Sequence, residues 1–177
     1  VLKVLRKLFQ KFSKQGLGQS PKVFPLLTNP KKSAIIEENR RKESTVKPAF
    51  PELIGNESLR RLLGDDIRAG RLSHAYIFEG PRGSGKHTLA RLTAAALACE
   101  KRDTDGVPLP CGVCPACRKI LEGKSPDVIC VNRGEKATFG VEPIRTLHAD
   151  VRIAPNELDT KLYILEDAQL LTPQAQN

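Results

Sequence analysis

Ala75-Tyr76-Ile77-Phe78-Glu79-Gly80-Pro81-Arg82-Gly83-Ser84-Gly85-Lys86-His87-Thr88-Leu89-Ala90 is the stretch that decides the fold. Ala75 to Phe78 is a short apolar run and reads as a buried strand. Gly80 to Gly85 is a glycine-rich turn, and Lys86 opens a run of strong helix formers that continues to Ala98. Strand, glycine loop, lysine and helix, in that order, form the context of a phosphate-binding loop. Glycines let backbone N–H groups turn toward phosphate oxygens, and the helix N-terminus and Lys86 add positive charge. Gly80, four residues, then Gly85-Lys86 fits the Walker A spacing, which assigns Gly80, Pro81, Arg82, Gly83, Ser84, Gly85, Lys86, His87 and Thr88 to nucleotide binding. The pattern asks for Ser or Thr directly after the lysine. Here that residue is His87, and Thr88 follows one place later.

The chain has 177 residues, enough for one domain, and 40% of them are apolar, enough for a core. No apolar run reaches the roughly 18 residues a membrane helix needs, and a cytoplasmic location is expected. The net charge of +9 is unevenly placed. Residues 1–50 hold 12 Lys and Arg against 3 acids, so residues 51–177 balance at 17 of each. The basic character therefore belongs to a leader and says nothing about the phosphate-loop domain. Within residues 1–14, Val1, Leu2, Leu5, Leu8, Phe9 and Phe12 recur at helical spacing among Lys3, Arg6, Lys7 and Lys11, a pattern that can form a basic amphipathic helix. From residue 15 to 49 the chain is rich in Lys, Pro and Ser without sustained periodicity, and disorder is expected. A membrane-surface helix, a nucleic-acid arm and an organellar transit peptide all fit this leader. Met is absent throughout, including at position 1, so the start is either an alternative codon read literally or lies further upstream.

The folded part is expected from residue 50 to 177. Asn56 is placed to cap a helix through Arg68, with Leu59, Leu62, Leu63 and Ile67 on its apolar side and Ala69-Gly70 at its end. His74 reads as a turn or packing residue rather than a ligand. Short helices are expected over Pro115 to Leu121 and Glu142 to Val151, and strands over Asp127 to Val131 and Leu162 to Leu165. Cys130 lies in the first of these strands and reads as core.

Cys99, Cys111, Cys114 and Cys117 place four thiols within nineteen residues. Disulfides are disfavoured because nothing indicates secretion. An iron–sulfur site of the bacterial ferredoxin type would want a further cysteine at 121, where Leu121 stands. Structural zinc fits best, with reduced thiols without metal as the alternative: four thiolates satisfy a tetrahedral ion and leave no open position for water. At the end of the last strand stand Glu166 and Asp167. Adjacent acids after an apolar strand suit a Walker B element, in which one carboxylate holds a metal and the other polarises water.

Ile54-Gly55-Asn56-Glu57, Ser73-His74-Ala75-Tyr76, the glycine loop, the four cysteines and Lys161-Leu162-Tyr163-Ile164-Leu165-Glu166-Asp167-Ala168 together resemble the clamp-loader ATPase subunits of bacterial DNA polymerase III, gamma/tau and delta-prime. The resemblance covers residues 50 to 177. It implies an α/β fold, an AAA+ module with a parallel sheet and helices on both faces. It also implies a zinc knuckle inserted at about 99–117 and a chain that stops before the last strands. In that sheet the neighbours of the phosphate-loop strand come after Asn177, so Ala75 to Phe78 are expected to lack a partner here. The implied task is loading the sliding clamp on primed DNA, with the other loader subunits, gamma/tau and delta, as partners and no membrane. ATP with Mg²⁺ is the implied ligand, with adenine near Leu53 and Ile54.

Two departures separate the relatives. His87 replaces a hydroxyl that would ligate Mg²⁺, and magnesium favours oxygen ligands over imidazole. Thr88 points elsewhere, since one residue turns a helix by about 100°. In addition, Glu166 and Asp167 exchange the usual order of Asp and Glu, displacing each carboxylate by one methylene. Both departures lean toward the delta-prime type, in which the chain's own ATPase is weak or absent, rather than the gamma/tau motor.

Overall fold

The structure is a computed structural model that describes residues 22–25, 49–104 and 106–176. The expected amphipathic helix at 1–14 and most of the segment expected to be disordered lie outside the described residues. The chain divides into two compact units that meet in sequence between Cys117 and Arg118.

In the first unit, β1 (Lys22–Pro25) pairs antiparallel with β2 (Tyr76–Glu79). The register sets Lys22 opposite Glu79, Val23 opposite Phe78, Phe24 opposite Ile77 and Pro25 opposite Tyr76. This corrects the expectation that the phosphate-loop strand has no partner: four residues of the leader supply one. β2 takes an antiparallel neighbour, while the parallel pairing lies in the second unit. The helix α1 (Glu57–Arg68) forms as its apolar spacing predicts, with Leu63 and Ile67 buried. Two details differ. Asn56 begins the helix in the left-handed region, φ 47°, without a side-chain cap bond, so only its carbonyl caps, accepting the Arg60 N–H at 3.0 Å. Leu62 stays 44% exposed.

Ala49 and Phe50 anchor the start of this unit. Ala49 bridges Leu109, and the Phe50 N–H donates to the Leu109 carbonyl at 2.6 Å. The Phe50 carbonyl accepts from Arg60 Nη1 at 3.2 Å. Ala49 also comes so close to α1 that a Cβ on Gly64 would stand 2.3 Å from its own Cβ. Behind the glycine loop runs α2 (Lys86–Leu97), which buries Leu89, Leu92, Ala94, Ala95 and Ala96. The small alanines let a helix with few large side chains be sealed along its C-terminal half.

The helix α3 (Pro115–Leu121) carries the chain into the second unit, where β3 (Val128–Val131) and β4 (Leu162–Leu165) pair in parallel. Parallel strands need a long crossover, and here it contains α4 (Val141–Asp150). A 3₁₀ turn (Ala168–Leu170) and α5 (Pro173–Gln176) follow. Val131, Phe139, Ile144, Leu171 and Ala175 form the core of this unit. Phe139 is tied to the chain after β4 on both sides: its N–H donates to Leu170 and its carbonyl accepts from Thr172. Cys130, expected as core, is exposed. Of the four residues of its strand only Val131 is buried.

The N-terminal ends of both strands are fixed by acids. Asp127, wholly buried, accepts the N–H groups of Asn156, Glu157 and Leu158 at 2.7, 2.6 and 2.9 Å. Asp150, at the end of α4, accepts from Lys161 Nζ at 2.9 Å and from the Tyr163 hydroxyl at 2.6 Å. Burial, and then the Asp150 bond, pushes the Tyr163 hydroxyl up to about 12. Among the described residues no helix is long and apolar enough to cross a membrane.

Candidate phosphate loop and metal centre

The glycine loop connects β2 to α2. Gly83 and Gly85 both have φ +80°, the left-handed region that side chains avoid. Lys86, the first residue of α2, turns back over the loop. Its Nζ donates to the carbonyls of Gly80 at 2.8 Å and Pro81 at 2.6 Å, with Ser84 Oγ at 3.5 Å. The lysine ammonium therefore sits at the mouth of the loop. His87 and Thr88 are exposed on the first turn of the helix. A groove lined by Leu53, Ile54, Asn56, Leu59 and Leu89 opens against Ser84 and Gly85. Ile54 is fully exposed at its edge.

The four cysteines converge in the same unit. Their Sγ atoms all lie within 4.8 Å of one another. Cys99, Cys111, Cys114 and Cys117 are 3%, 9%, 4% and 0% exposed, so the cluster is shielded from solvent. Cys111 and Cys117 Sγ are 3.9 Å apart. A tetrahedral zinc with bonds of about 2.3 Å sets its sulfurs about 3.8 Å apart, so the donor set fits that ion. The spacing supplies part of the second layer as well: the Cys114 N–H donates to Cys111 Sγ at 3.4 Å, and the Cys117 N–H to Cys114 Sγ at 3.5 Å. Burial pushes the Cys111 thiol up, but the N–H groups of Cys114 and Val113 outweigh it and bring it down to about 7. Burial holds the Cys99 and Cys117 thiols high. No disulfide joins any of them.

Glu166 and Asp167 leave β4 in the second unit. The Glu166 N–H continues the ladder by donating to Val131 at 3.0 Å. Asp167 turns into the left-handed region, φ 50°, and starts the 3₁₀ turn. Its Oδ1 accepts from Gln169 Nε2 at 3.2 Å, and its Oδ2 lies 3.6 Å from Arg133 Nε. Arg133 follows β3 and is steadied by a bond from Nη1 to the Lys136 carbonyl. Sequence reading missed this arginine. The available signal was topological: in adjacent parallel strands, residues one or two places beyond the C-terminal ends meet.

The first unit is thus a strand–glycine loop–helix element with a four-thiol cluster, and the second a βαβ element with acids after its last strand, the parts of an α/β protein. Residues 55–177 match the family model described as "DNA polymerase III, delta subunit". The chain belongs to that family, clamp-loader AAA+ subunits related to gamma/tau. It is 34% identical over 128 residues to DNA polymerase III subunit tau of Bacillus subtilis, covering 72% of this chain and 22% of that protein. Against DNA polymerase III subunit tau of Escherichia coli the identity is 35% over 128 residues, 72% of this chain and 19% of the relative. Protein STICHEL-like 1 of Arabidopsis thaliana is 35% identical over 124 residues, 69% of this chain and 11% of the relative. The chain therefore spans about a fifth or less of these relatives.

Proposed function

We propose that this chain serves DNA replication as a delta-prime-like subunit of the polymerase III clamp loader, with a degenerate nucleotide site. It would act in the cytoplasm, assembled with gamma/tau and delta, and would reach the sliding clamp and primed DNA through the complete loader. The observation that carries the reading is the state of Asp167, whose two carboxylate oxygens face Gln169 and Arg133 while its backbone is left-handed. A carboxylate held by a cation is poorly placed to take a proton from water. His87 adds to this, since it replaces the oxygen ligand that Mg²⁺ prefers.

The glycine loop and Lys86 would still cradle phosphate, and Leu53, Ile54 and Leu59 would cover the base. ATP with Mg²⁺ would therefore bind weakly. Bound magnesium supplies charge neutralisation to the transferring phosphoryl group. The residues of this chain nearest to that role, His87, Glu166 and Asp167, each depart from the usual pattern. Zinc in the four-thiol centre would be structural, pinning the start of α3 to the chain after α2.

A gamma/tau-like motor is the second reading. It is favoured by one observation: the relatives at 34–35% identity include tau subunits. Steady-state ATPase decides between the two. The full-length protein is measured alone and in a reconstituted loader, beside a His87→Thr/Glu166→Asp/Asp167→Glu variant. The expected result is negligible turnover that rises in the variant. Turnover of roughly 1 s⁻¹ or more in the unmodified protein, within the normal range for enzymes, replaces the delta-prime reading with the motor.

A further inference from the structure

The pairing of β1 with β2 is not accounted for by the clamp-loader reading. β2 is the strand that feeds the glycine loop, and in the antiparallel register Lys22 stands opposite Glu79, the last residue before Gly80. The leader strand thus begins at the phosphate-loop end of β2 and runs away from it. The backbone register matches each of the four β1 residues to one of the four residues of β2. Composition marks β1 as an edge strand. It opens on a lysine and closes on Pro25, which has no N–H to offer a further neighbour.

Two features make the pairing consequential for the loop. The loop itself is held by few internal bonds: the Ser84 N–H reaches Pro81 at a long 3.3 Å, and Lys86 closes the remainder from the helix side. The strand side therefore depends on how firmly Tyr76 to Glu79 are fixed. Two-stranded pairing is marginal by itself, so β1 can leave and return at modest cost. A weak ladder beside a loop that must order around an anion has the properties of a coupled two-state element.

We propose that Lys22–Pro25 is a strap on the phosphate loop: its pairing with β2 and the binding of a polyphosphate at Gly80–Lys86 reinforce each other. Binding orders the loop and the C-terminal end of β2, which offers β1 a fixed edge. Paired β1 fixes β2 and lowers the ordering cost of binding. The coupling is reciprocal, as linkage requires. The coupling half of the proposal rests on the phosphate-loop reading given above; the pairing half does not.

The test uses the whole chain with inorganic pyrophosphate as the probe. Amide hydrogen exchange is followed across Tyr76–Glu79, where alternate N–H groups face β1 and the others serve as internal controls, and pyrophosphate affinity is measured by calorimetry. The strap variant is Val23→Pro/Phe24→Pro, which removes two leader N–H groups, one of them facing β2, and leaves Gly80–Lys86 untouched. Lys22→Gln serves as a charge control that keeps the backbone able to pair. Exchange at Val128–Val131 in the second unit reports that each variant is folded. The expected result is that the proline variant loses protection at the alternate β2 amides that face β1 and binds pyrophosphate about fivefold or more weakly, whereas pyrophosphate raises protection at the same amides in the unmodified chain. Unchanged protection in the proline variant overturns the strap. Lost protection with unchanged affinity overturns the coupling. Absence of pyrophosphate binding to the unmodified chain overturns the phosphate-loop reading and the coupling with it, while the exchange comparison still decides the pairing. A Lys22→Gln variant as impaired as the proline variant would assign the effect to charge and overturn the strap.

Discussion

Arg133 and Asp167 close the C-terminal ends of two neighbouring parallel strands against each other, with Nε of the arginine 3.6 Å from Oδ2 of the aspartate. Both side chains are partly solvated, at 34% and 52% exposure. A pair of this kind contributes little to folding, about 0.5 kcal/mol, so its significance lies in where it holds the acid. Arg133→Gln is therefore expected to change stability by less than about 1 kcal/mol, as read by urea denaturation. In the full-length protein it should raise, not lower, any residual ATP turnover, because Asp167 loses the cation beside it. A fall in turnover would mean that Arg133 acts on the nucleotide.

Asp127 is different because it is sealed from water and its oxygens accept three backbone N–H groups. Burial alone would raise its pKa. The N–H groups of Asn156, Glu157 and Leu158 outweigh burial and hold the carboxyl below its ordinary 3.8. A lowered folded-state pKa gives stability that is complete above the unfolded value and is lost as the pH falls through the folded one. The Asp127 contribution is thus intact at neutral pH and fades below about pH 4. Asp127→Asn should remove on the order of 3 kcal/mol at pH 7, since an amide offers one acceptor oxygen where two are used. The gap between the two proteins should narrow as the solution is acidified below that point. A gap that stays constant with pH would refute the assignment.

The four-thiol centre predicts one Zn²⁺ per chain in protein purified under reducing conditions. Thiolate ligation couples the metal to local folding, so chelation should unravel the segment from Cys99 to Cys117 and leave β3 and β4 protected. Elemental analysis checks the stoichiometry, and a Cys114→Ser/Cys117→Ser variant should lose the metal. Content below about 0.2 equivalents, or content unaffected by the double substitution, contradicts zinc as the resident ion.

What the sequence revealed follows from how local each signal is. β4 and α3 fall on the expected residues because a four-residue apolar run before two acids, and a proline-led run after CxxC, are local patterns. The cysteine centre was legible for the same reason. The Arg133–Asp167 pair was not, since it depends on β3 and β4 being neighbours. Neither was the Asp127 clamp, which joins residues about 30 apart. β1 was hidden by composition: Lys22-Val23-Phe24-Pro25 is too short and too flanked by Pro and Ser to stand out, and only β2 gives it a ladder. Cys130 was misread because an apolar run does not say which of its alternate residues faces solvent.

Gly64 offers the sharpest test of how the segment before α1 is seated. It lies in the interior of a twelve-residue helix and is buried. On helix propensity alone, Gly64→Ala should stabilise by about 1 kcal/mol. The approach of Ala49 reverses that sign. A methyl on residue 64 would stand 2.3 Å from Ala49 Cβ, far inside contact distance, and the obstacle is a short side chain that cannot swing away. Ala49 cannot retreat freely either, since it bridges Leu109 and its neighbour Phe50 is fully buried and bonded at both its N–H and its carbonyl. Overpacking of this kind costs roughly 1–3 kcal/mol, so the expected outcome is net destabilisation. The companion variant Ala49→Gly should relieve the clash, making the double substitution more stable than Gly64→Ala alone. Chemical denaturation of the four proteins gives the coupling directly. If Gly64→Ala stabilises the protein, or if Ala49→Gly fails to rescue it, the segment at Ala49 and Phe50 is not seated against α1.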